Sequence, residues 1–337
     1  MKTLIMVGAG ASCAGPGIIR QLNSSPALAS GNPPLGGQLL ATLQSVFPGD
    51  WDESIEKYFQ RDPTDFEAGM AQMYEALWTH GSAEQRSKFN WCMFHLTEYF
   101  TNWHIIDESC LYVRLINQLR DWRVLSATGD NPNLTFVSLN YERLLEEAIM
   151  RSEEILVTFQ SRDHPSFSNR VPVWKPHGSC HFAASAKEGT IGYPTPSDLD
   201  GGLKPMRREE LSMRLGMISE QLAVGSVDPF PIVMSLYMMN KPTMVGQEVI
   251  RSIRERYLES VGEADLLVMI GVRPVWSDNH LFDPILARSG PTLFVGYDSE
   301  ELQEFTERSH GEVTHVARTF AEMVDCELLK PWLEPGA

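Results

Sequence analysis

Two side chains, Asn140 and His177, stand at points of the sequence that favour chemistry. Asn140 follows an apolar run at residues 134–139 that predicts a buried strand, and it precedes a helical pattern that begins near Leu144. Because ligands of open parallel sheets bind outside the carboxyl ends of strands, Asn140 stands where chemistry is usually placed. The alternative interpretation is that Asn140 serves only as the N-cap of the helix, a role that asparagine fills well.

His177 follows a second short apolar run, at residues 171–174, and the adjacent Gly178 permits an unusual backbone angle. His177 therefore lies, like Asn140, just past the end of a predicted strand. No Cys or carboxylate stands at ligand spacing from His177 and His181, and we therefore expect no metal at this segment.

A Gly-rich turn, residues 8–12 with the sequence Gly-Ala-Gly-Ala-Ser, follows the first predicted strand. Glycines let a backbone approach a pyrophosphate, and the N–H groups at the start of a helix bind it. Cys13 stands where the dinucleotide-binding pattern Gly-x-Gly-x-x-Gly requires its third glycine. A turn without a ligand therefore remains the alternative.

The elements that must position these residues alternate between strands and helices. Buried strands are predicted at residues 3–7, 134–139, 155–159, 171–174, 264–270, 292–296 and 313–316, and helices at residues 38–46, 208–222, 245–261 and 320–324. This order predicts an α/β fold with a Rossmann-like, doubly wound parallel sheet. Residues 52–120 carry helical periodicity, which indicates an inserted α-helical module. We expect one domain, with its core at residues 1–22 and 123–337 and the helical insertion at about 38–122.

Composition narrows the classes of function. The net charge of −16 argues against a broad nucleic-acid-binding face, because phosphate backbones require basic surface. No apolar run approaches the ~20 residues that span a bilayer, so we expect no membrane association. The five cysteines are scattered and form no Cys-x-x-Cys pair, which favours neither a zinc site nor a disulfide framework. A reducing, cytoplasmic location fits this usage.

Four segments of the chain, in this order, carry a resemblance to a known family: residues 8–12 (GAGAS), 138–142 (SLNYE), 175–179 (KPHGS) and 270–274 (IGVRP). Together they resemble the sirtuin-like family, and more narrowly the NAD-hydrolysing branch found in bacterial anti-phage defence systems. The resemblance covers nearly the whole chain. It departs from the family pattern at Glu142, where Asp is usual, and at Pro176, where Leu is usual. The paired-cysteine zinc site of protein-deacylating sirtuins is also missing.

The resemblance implies roles for individual residues. Asn140 and His177 would be catalytic, with His177 as the base. The groups that bind NAD would be Gly8, Ala9, Gly10 and Ser12 at the diphosphate, Asn140 at the nicotinamide ribose, and Gly271 and Asp298 near the adenosine end. No metal would be required.

The expected activity is that of an NAD glycohydrolase, which releases nicotinamide and ADP-ribose or a cyclised form and depletes cellular NAD. NAD-dependent deacylation, ADP-ribosyl transfer and a non-catalytic NAD-binding subunit of a larger assembly remain alternatives. A hydride-transferring dehydrogenase is disfavoured by the missing third glycine. An enzyme that destroys NAD must be held inactive at rest. We therefore expect a homo-oligomer, or a separate sensor or nucleic-acid-handling partner protein, with the loops at residues 23–37 and 184–206 as moving parts.

Overall fold

A computed structural model describes most of the chain. The described residues are 1–13, 15–21, 28–30, 32–62, 65–126, 131, 133–151, 156–159, 170–185, 202–206, 208–225, 232–234, 244–276, 278–297 and 300–334. Asp298 lies outside them, as do parts of the two loops that were predicted to move.

Strands and helices alternate along the described residues. The strands are β1 (Thr3–Val7), β2 (Ile18–Gln21), β3 (Leu28–Ser30), β4 (Trp103–Ile105), β5 (Leu134–Ser138), β6 (Leu156–Thr158), β7 (Arg170–Trp174), β8 (Gly178–Ser185), β9 (Gly202–Pro205), β10 (Ile232–Met234), β11 (Leu266–Ile270), β12 (Thr292–Val295) and β13 (Val313–Ala317). The helices are α1 (Ala9–Ser12), α2 (Gly36–Val46), α3 (Glu53–Glu56), α4 (Phe66–Met73), α5 (Ala83–Thr101), α6 (Leu111–Asp121), α7 (Leu144–Met150), α8 (Arg208–Ala223), α9 (Gln247–Glu263), α10 (Asn279–Leu286), α11 (Glu300–Arg308), α12 (Phe320–Asp325) and α13 (Lys330–Leu333). Short 3-10 and π-helical turns occupy Lys57–Phe59 and Tyr74–Thr79.

Seven strands form the central sheet, in the order β13-β12-β11-β1-β5-β7-β6, and all neighbours are parallel. This confirms the predicted α/β, Rossmann-like fold. Every residue of β1, β5 and β11 is buried, as expected for a parallel sheet with helices on both faces. The apolar runs that predicted these strands are therefore the centre of the core.

The carboxyl ends of the three central strands lie level with one another. Val7 of β1 pairs with Ser138 of β5 on one side and with Ile270 of β11 on the other. On one side of β1 the sheet continues with β5 and β7. On the other side it continues with β11 and then β12, so the strand order reverses between β1 and β11. The edge above β1 and β11 is therefore the topological switch point, where open α/β sheets bind ligands.

The helices between β1 and β5 pack through apolar stripes of the predicted spacing. In α6, for example, Leu115, Ile116 and Leu119 are buried. Among the described helices, none is long and apolar enough to cross a membrane.

The prediction that residues 52–120 are helical throughout is wrong at β4. Trp103–Ile105 forms a strand that pairs antiparallel with β2, and β2 pairs with β3. His104, expected on a helix, is therefore a strand residue. A three-residue strand carries almost no periodicity, and its partner lies far away in the chain, so tertiary pairing overrides the local pattern.

A third sheet begins directly after His177. Its strands run β10-β8-β9, and β8 starts at Gly178. β9 belongs to the segment at residues 184–206 that was predicted to be a loop, and it pairs antiparallel with β8. In the described parts of that segment, residues 184–185 belong to β8 and residues 202–205 form β9.

Candidate active site

The predicted site residues converge on one edge of the sheet. The Gly-rich turn follows β1, Asn140 follows β5, His177 follows β7 and Gly271 follows β11. These four strands are consecutive neighbours in the sheet, in the order β11-β1-β5-β7. Asp298, which follows β12, is outside the described residues.

The Gly-rich turn lies directly against the turn that follows β11. The amides of Gly8 and Gly10 donate to the carbonyl oxygens of Ile270 and Gly271, each at 3.0 Å. A Cβ on Gly8 would lie 2.6 Å from the Gly271 oxygen, and a Cβ on Gly271 would lie 2.1 Å from the Ala11 nitrogen. Gly271 also has a φ of +60°, which favours glycine. Glycine is therefore required on both sides for this contact between two backbones.

This contact limits how the turn could hold a phosphate. The amides of Gly8 and Gly10 are engaged with β11 and its turn, so they are not directed at a ligand. Ala9 is exposed and opens the four-residue helix α1, whose first N–H groups have no partner within the helix. Of the amides in the turn, that of Ala9 is the one best suited to a ligand.

Asn140 holds the Gly-rich turn rather than capping a helix. Its Nδ2 donates to the Gly8 carbonyl oxygen and to Ser12 Oγ, both at 3.0 Å. A carbonyl oxygen only accepts, so the amide nitrogen must face Gly8, and Oδ1 is left as the acceptor on the other side of the amide. The N-cap of α7 is Arg143, and the alternative role of Asn140 as its cap is wrong.

Ser12 is the centre of a buried hydrogen-bond cluster. Its hydroxyl donates to Glu142 Oε1 and lies 2.9 Å from Tyr112 Oη and 3.0 Å from Asn140 Nδ2. A hydroxyl has one proton and two acceptor positions. Because the proton goes to Glu142, both Tyr112 and Asn140 donate to Ser12. Ser12 therefore orients Asn140 and has no capacity left for a phosphate.

Burial dominates the ionisation of this cluster. Burial raises the pKa of Glu142, although the charge of Lys175 and the hydrogen bond from Ser12 oppose the shift. Burial, together with the charge of Glu142, also raises the pKa of Tyr112 well above its usual value, so the phenol remains a donor at neutral pH. Glu142 Oε2 accepts the Leu144 amide at 3.1 Å and thereby fixes the start of α7.

Lys175 joins the His177 turn to the segment that carries Asn140. The side chain is fully buried, and its Nζ donates to Glu146 Oε1 at 2.7 Å and to the Glu142 carbonyl oxygen at 2.6 Å. On the other side of the turn, Arg254 Nε of α9 donates to the Pro176 carbonyl oxygen at 3.0 Å. His177 therefore sits on a turn that is held from two directions.

His177 is buried and faces an acidic side chain. Its residue exposure is 5%, and its Nε2 lies 3.6 Å from Asp278 Oδ2. The turn is closed by a hydrogen bond from the Gly178 amide to the Lys175 carbonyl oxygen at 2.8 Å. Gly178 has a φ of +74°, and a Cβ there would lie 2.1 Å from the Val233 oxygen, so glycine is required beside the ring.

His181 differs from His177 in its surroundings. Its Nδ1 lies 2.8 Å from Ser179 Oγ, and burial lowers its pKa well below the usual value, with the charges of Lys175 and Arg143 adding to the effect. A neutral, buried histidine bonded to a neighbouring hydroxyl is structural. Over the residues that the structure describes, no group of three or more His, Cys, Asp or Glu side chains could hold a metal ion.

Sequence reasoning missed three residues that complete this edge: Tyr112, Arg254 and Asp278. Each lies in a helix, or at the start of one, that is distant in sequence from the residue that it contacts. Asp278 carried one signal, since Asp followed by Asn is a common helix start. Tyr112 and Arg254 belonged to ordinary amphipathic patterns, and nothing in those patterns indicates a site.

Comparisons with protein families and with curated proteins find no relative of this chain. No protein-family model matches the chain. No curated protein matches it either. Support for a function therefore comes from the chemistry of these residues and from the motifs that the sequence carries.

Proposed function

We propose that the protein is a sirtuin-like NAD glycohydrolase, which cleaves the bond between nicotinamide and ribose in NAD. The main support is that two hydrogen bonds of 3.0 Å fix the Asn140 amide on the Gly-rich turn, at the same sheet edge as His177. His177 follows β7, which is two strands away from β1 in the sheet. An oriented amide acceptor and an imidazole at one sheet edge suit the activation of a water or a ribose hydroxyl.

The proposed reaction consumes one water. The bond from ribose C1′ to the nicotinamide nitrogen breaks, and its electron pair leaves with nicotinamide. The water oxygen bonds to C1′, and the proton that it loses passes to His177. The products are nicotinamide, ADP-ribose and one proton. A ribose hydroxyl or another internal nucleophile in place of water gives a cyclised product.

Asn140 Oδ1 has the role of an acceptor that orients the nucleophile or a ribose hydroxyl. Departure of nicotinamide develops oxocarbenium-like positive charge on the ribose. Asn140 Nδ2 is already bonded to Gly8 and Ser12. The side chain therefore needs little further ordering when its Oδ1 contacts the substrate. The proposal thus assigns Ser12 to positioning and Asn140 to contact with the substrate.

The binding of the rest of NAD is proposed at the switch point. The diphosphate would lie at Gly8, Ala9 and Gly10, with the exposed Ala9 amide as a direct donor. The adenosine end would lie near Gly271 and Asp298. The fit is partial, because two amides of the turn and the Ser12 hydroxyl already have protein partners.

The test is release of nicotinamide from NAD by the wild type and by two variants, Asn140→Ala and His177→Ala. Matched controls are Asn117→Ala on the exposed side of α6 and His80→Ala, whose side chain is 70% exposed. We expect both site variants to lose at least about 10²-fold in turnover and both controls to retain it. Circular dichroism checks that each variant is folded.

Three outcomes would contradict the proposal. Folded site variants with full turnover would remove Asn140 and His177 from the reaction. Release of nicotinamide only in the presence of an acyl-lysine peptide would identify deacylation instead. Binding of NAD without cleavage would identify a non-catalytic NAD-binding subunit.

The cellular role follows from the motif resemblance alone. We propose a cytoplasmic, NAD-depleting effector of anti-phage defence that is activated by self-assembly or by a sensor or nucleic-acid-handling partner. Specific activity measured over a protein dilution series, together with mass in solution, tests this control. A monomer with constant specific activity, unaffected by candidate partners, would contradict it.

A further inference from the structure

Asp278 is a buried carboxylate at the start of α10 that does not cap its helix in the usual way. The residue is the N-cap, and its carbonyl oxygen accepts the Leu281 amide at 2.8 Å, but its side chain makes no capping hydrogen bond. The side chain is 5% exposed. A carboxylate this deeply buried is costly unless it faces a hydrogen-bond donor or a positive charge.

The carboxylate of Asp278 is directed toward His177. Oδ2 lies 3.6 Å from His177 Nε2, within ion-pair range and slightly beyond hydrogen-bond length. Hydrogen bonds between catalytic groups commonly shorten when substrate binds. Because a carboxylate accepts and cannot donate, the favoured tautomer of the neutral ring carries its proton on Nε2.

Other charged and aromatic groups around His177 come from several elements. Arg254 of α9 bonds to the Pro176 carbonyl oxygen, and the charge of Asp278 acts on it. The Tyr141 ring lies 6.4 Å from the His177 ring and the His280 ring lies 6.3 Å from it. Lys175, in the same turn, is neutralised by Glu146. Among the described residues, Asp278 places a carboxylate within ion-pair distance of the imidazole, and its charge also acts on Arg254.

We propose that Asp278 is a positioning residue for His177. Its carboxylate fixes the ring proton on Nε2 and thereby turns Nδ1 toward the substrate. It also stabilises the imidazolium that forms when the ring accepts a proton. The inference rests on the proposed function of His177 as the base. It adds a carboxylate from the far side of the switch point, after β11, to a reaction whose other residues follow β1, β5 and β7.

The first test needs no substrate. Long-range proton–nitrogen NMR of the imidazole rings reports the tautomer and the pKa of His177, and the His177→Gln spectrum assigns its signals. We expect the Nε2–H tautomer in the wild type. In Asp278→Asn, which keeps the size of the side chain and removes its charge, the pKa of His177 should fall by about 1 unit or more. Asp283→Asn, an exposed carboxylate on the same helix, should leave it unchanged.

The second test uses NAD cleavage. We expect Asp278→Asn to lower kcat by about 10- to 10³-fold, and the acid limb of the kcat/KM profile to move to lower pH, with Asp283→Asn like the wild type. A wild-type Nδ1–H tautomer, or equal His177 pKa values in the two variants, would overturn the inference. Failure of the wild type to cleave NAD would instead overturn the proposed function, while the NMR result still decides the pairing of His177 with Asp278.

Discussion

Removal of the Lys175 ammonium should destabilise the protein strongly, because it leaves a buried carboxylate behind. The Lys175 and Glu146 side chains are 0% and 1% exposed, and Nζ lies 2.7 Å from Glu146 Oε1. Breaking a buried ion pair by removing one partner typically costs about 3–5 kcal/mol. Lys175→Met, which keeps the unbranched shape, should therefore lower the free energy of unfolding by about that amount.

The double variant Lys175→Met/Glu146→Leu separates the ion pair from the remaining contacts. With both charges gone no carboxylate is left unpaired, and replacing a buried pair with apolar residues is often neutral. One loss persists, because the Glu142 carbonyl oxygen no longer receives Nζ, and an unsatisfied buried acceptor costs about 1–3 kcal/mol. We therefore expect the double variant to be more stable than either single variant.

Urea unfolding followed by tryptophan fluorescence, with linear extrapolation, gives the four free energies of this cycle. We expect a coupling energy of at least about 3 kcal/mol. The control is Arg251→Met on α9, where an ion pair with Glu248 has side chains 63% and 58% exposed, and we expect a change within about 0.5 kcal/mol. Additive single effects, within about 0.5 kcal/mol, would refute the account of Lys175 as half of a buried pair.

Three further predictions concern other contacts. Gly271→Ala should lower the free energy of unfolding by at least about 1–3 kcal/mol, because Gly271 has a φ of +60° and a Cβ there would lie 2.1 Å from the Ala11 nitrogen. The control is Gly262→Ala on α9, where a Cβ would meet nothing within 4 Å, and it should be neutral or stabilising in the same experiment. Burial lowers the pKa of His95, but hydrogen bonds to two acidic partners outweigh it and raise the pKa. The stability lost in His95→Gln should therefore be largest below pH ~6.5 and shrink as pH rises through the raised folded pKa; no pH dependence of that difference would contradict this. Tyr112→Phe should cost roughly 1 kcal/mol, since it removes one buried donor to Ser12, and an unchanged midpoint in urea would argue against that bond.

The sheet could be predicted from sequence because its central strands are continuous apolar runs. β1 has the predicted bounds, and β5 ends one residue earlier than expected. The same reasoning placed Asn140 and His177 just past strand ends, since a polar residue after a buried strand is visible in the sequence itself. The small sheets were missed because β2, β4 and β10 are short and depend on partners distant in the chain.

The connections within the site could not be predicted, because they depend on which distant segments meet. The Gly-rich turn was interpreted as a phosphate cradle, yet two of its glycines are explained by the approach of the Gly271 backbone. Ser12 carried no sign of its bonds to Tyr112 and Glu142, which come from two other elements. Residue type and spacing indicate where a site can be, and tertiary packing decides what each atom does there.

Cleavage of the nicotinamide–ribose bond is measured most directly as the amount of free nicotinamide released per NAD consumed. The purified wild-type protein is incubated with NAD over a dilution series, and the products are separated by chromatography. We expect one nicotinamide for each NAD lost, together with ADP-ribose or its cyclised form. Loss of NAD without nicotinamide, or intact NAD at every protein concentration, would contradict it.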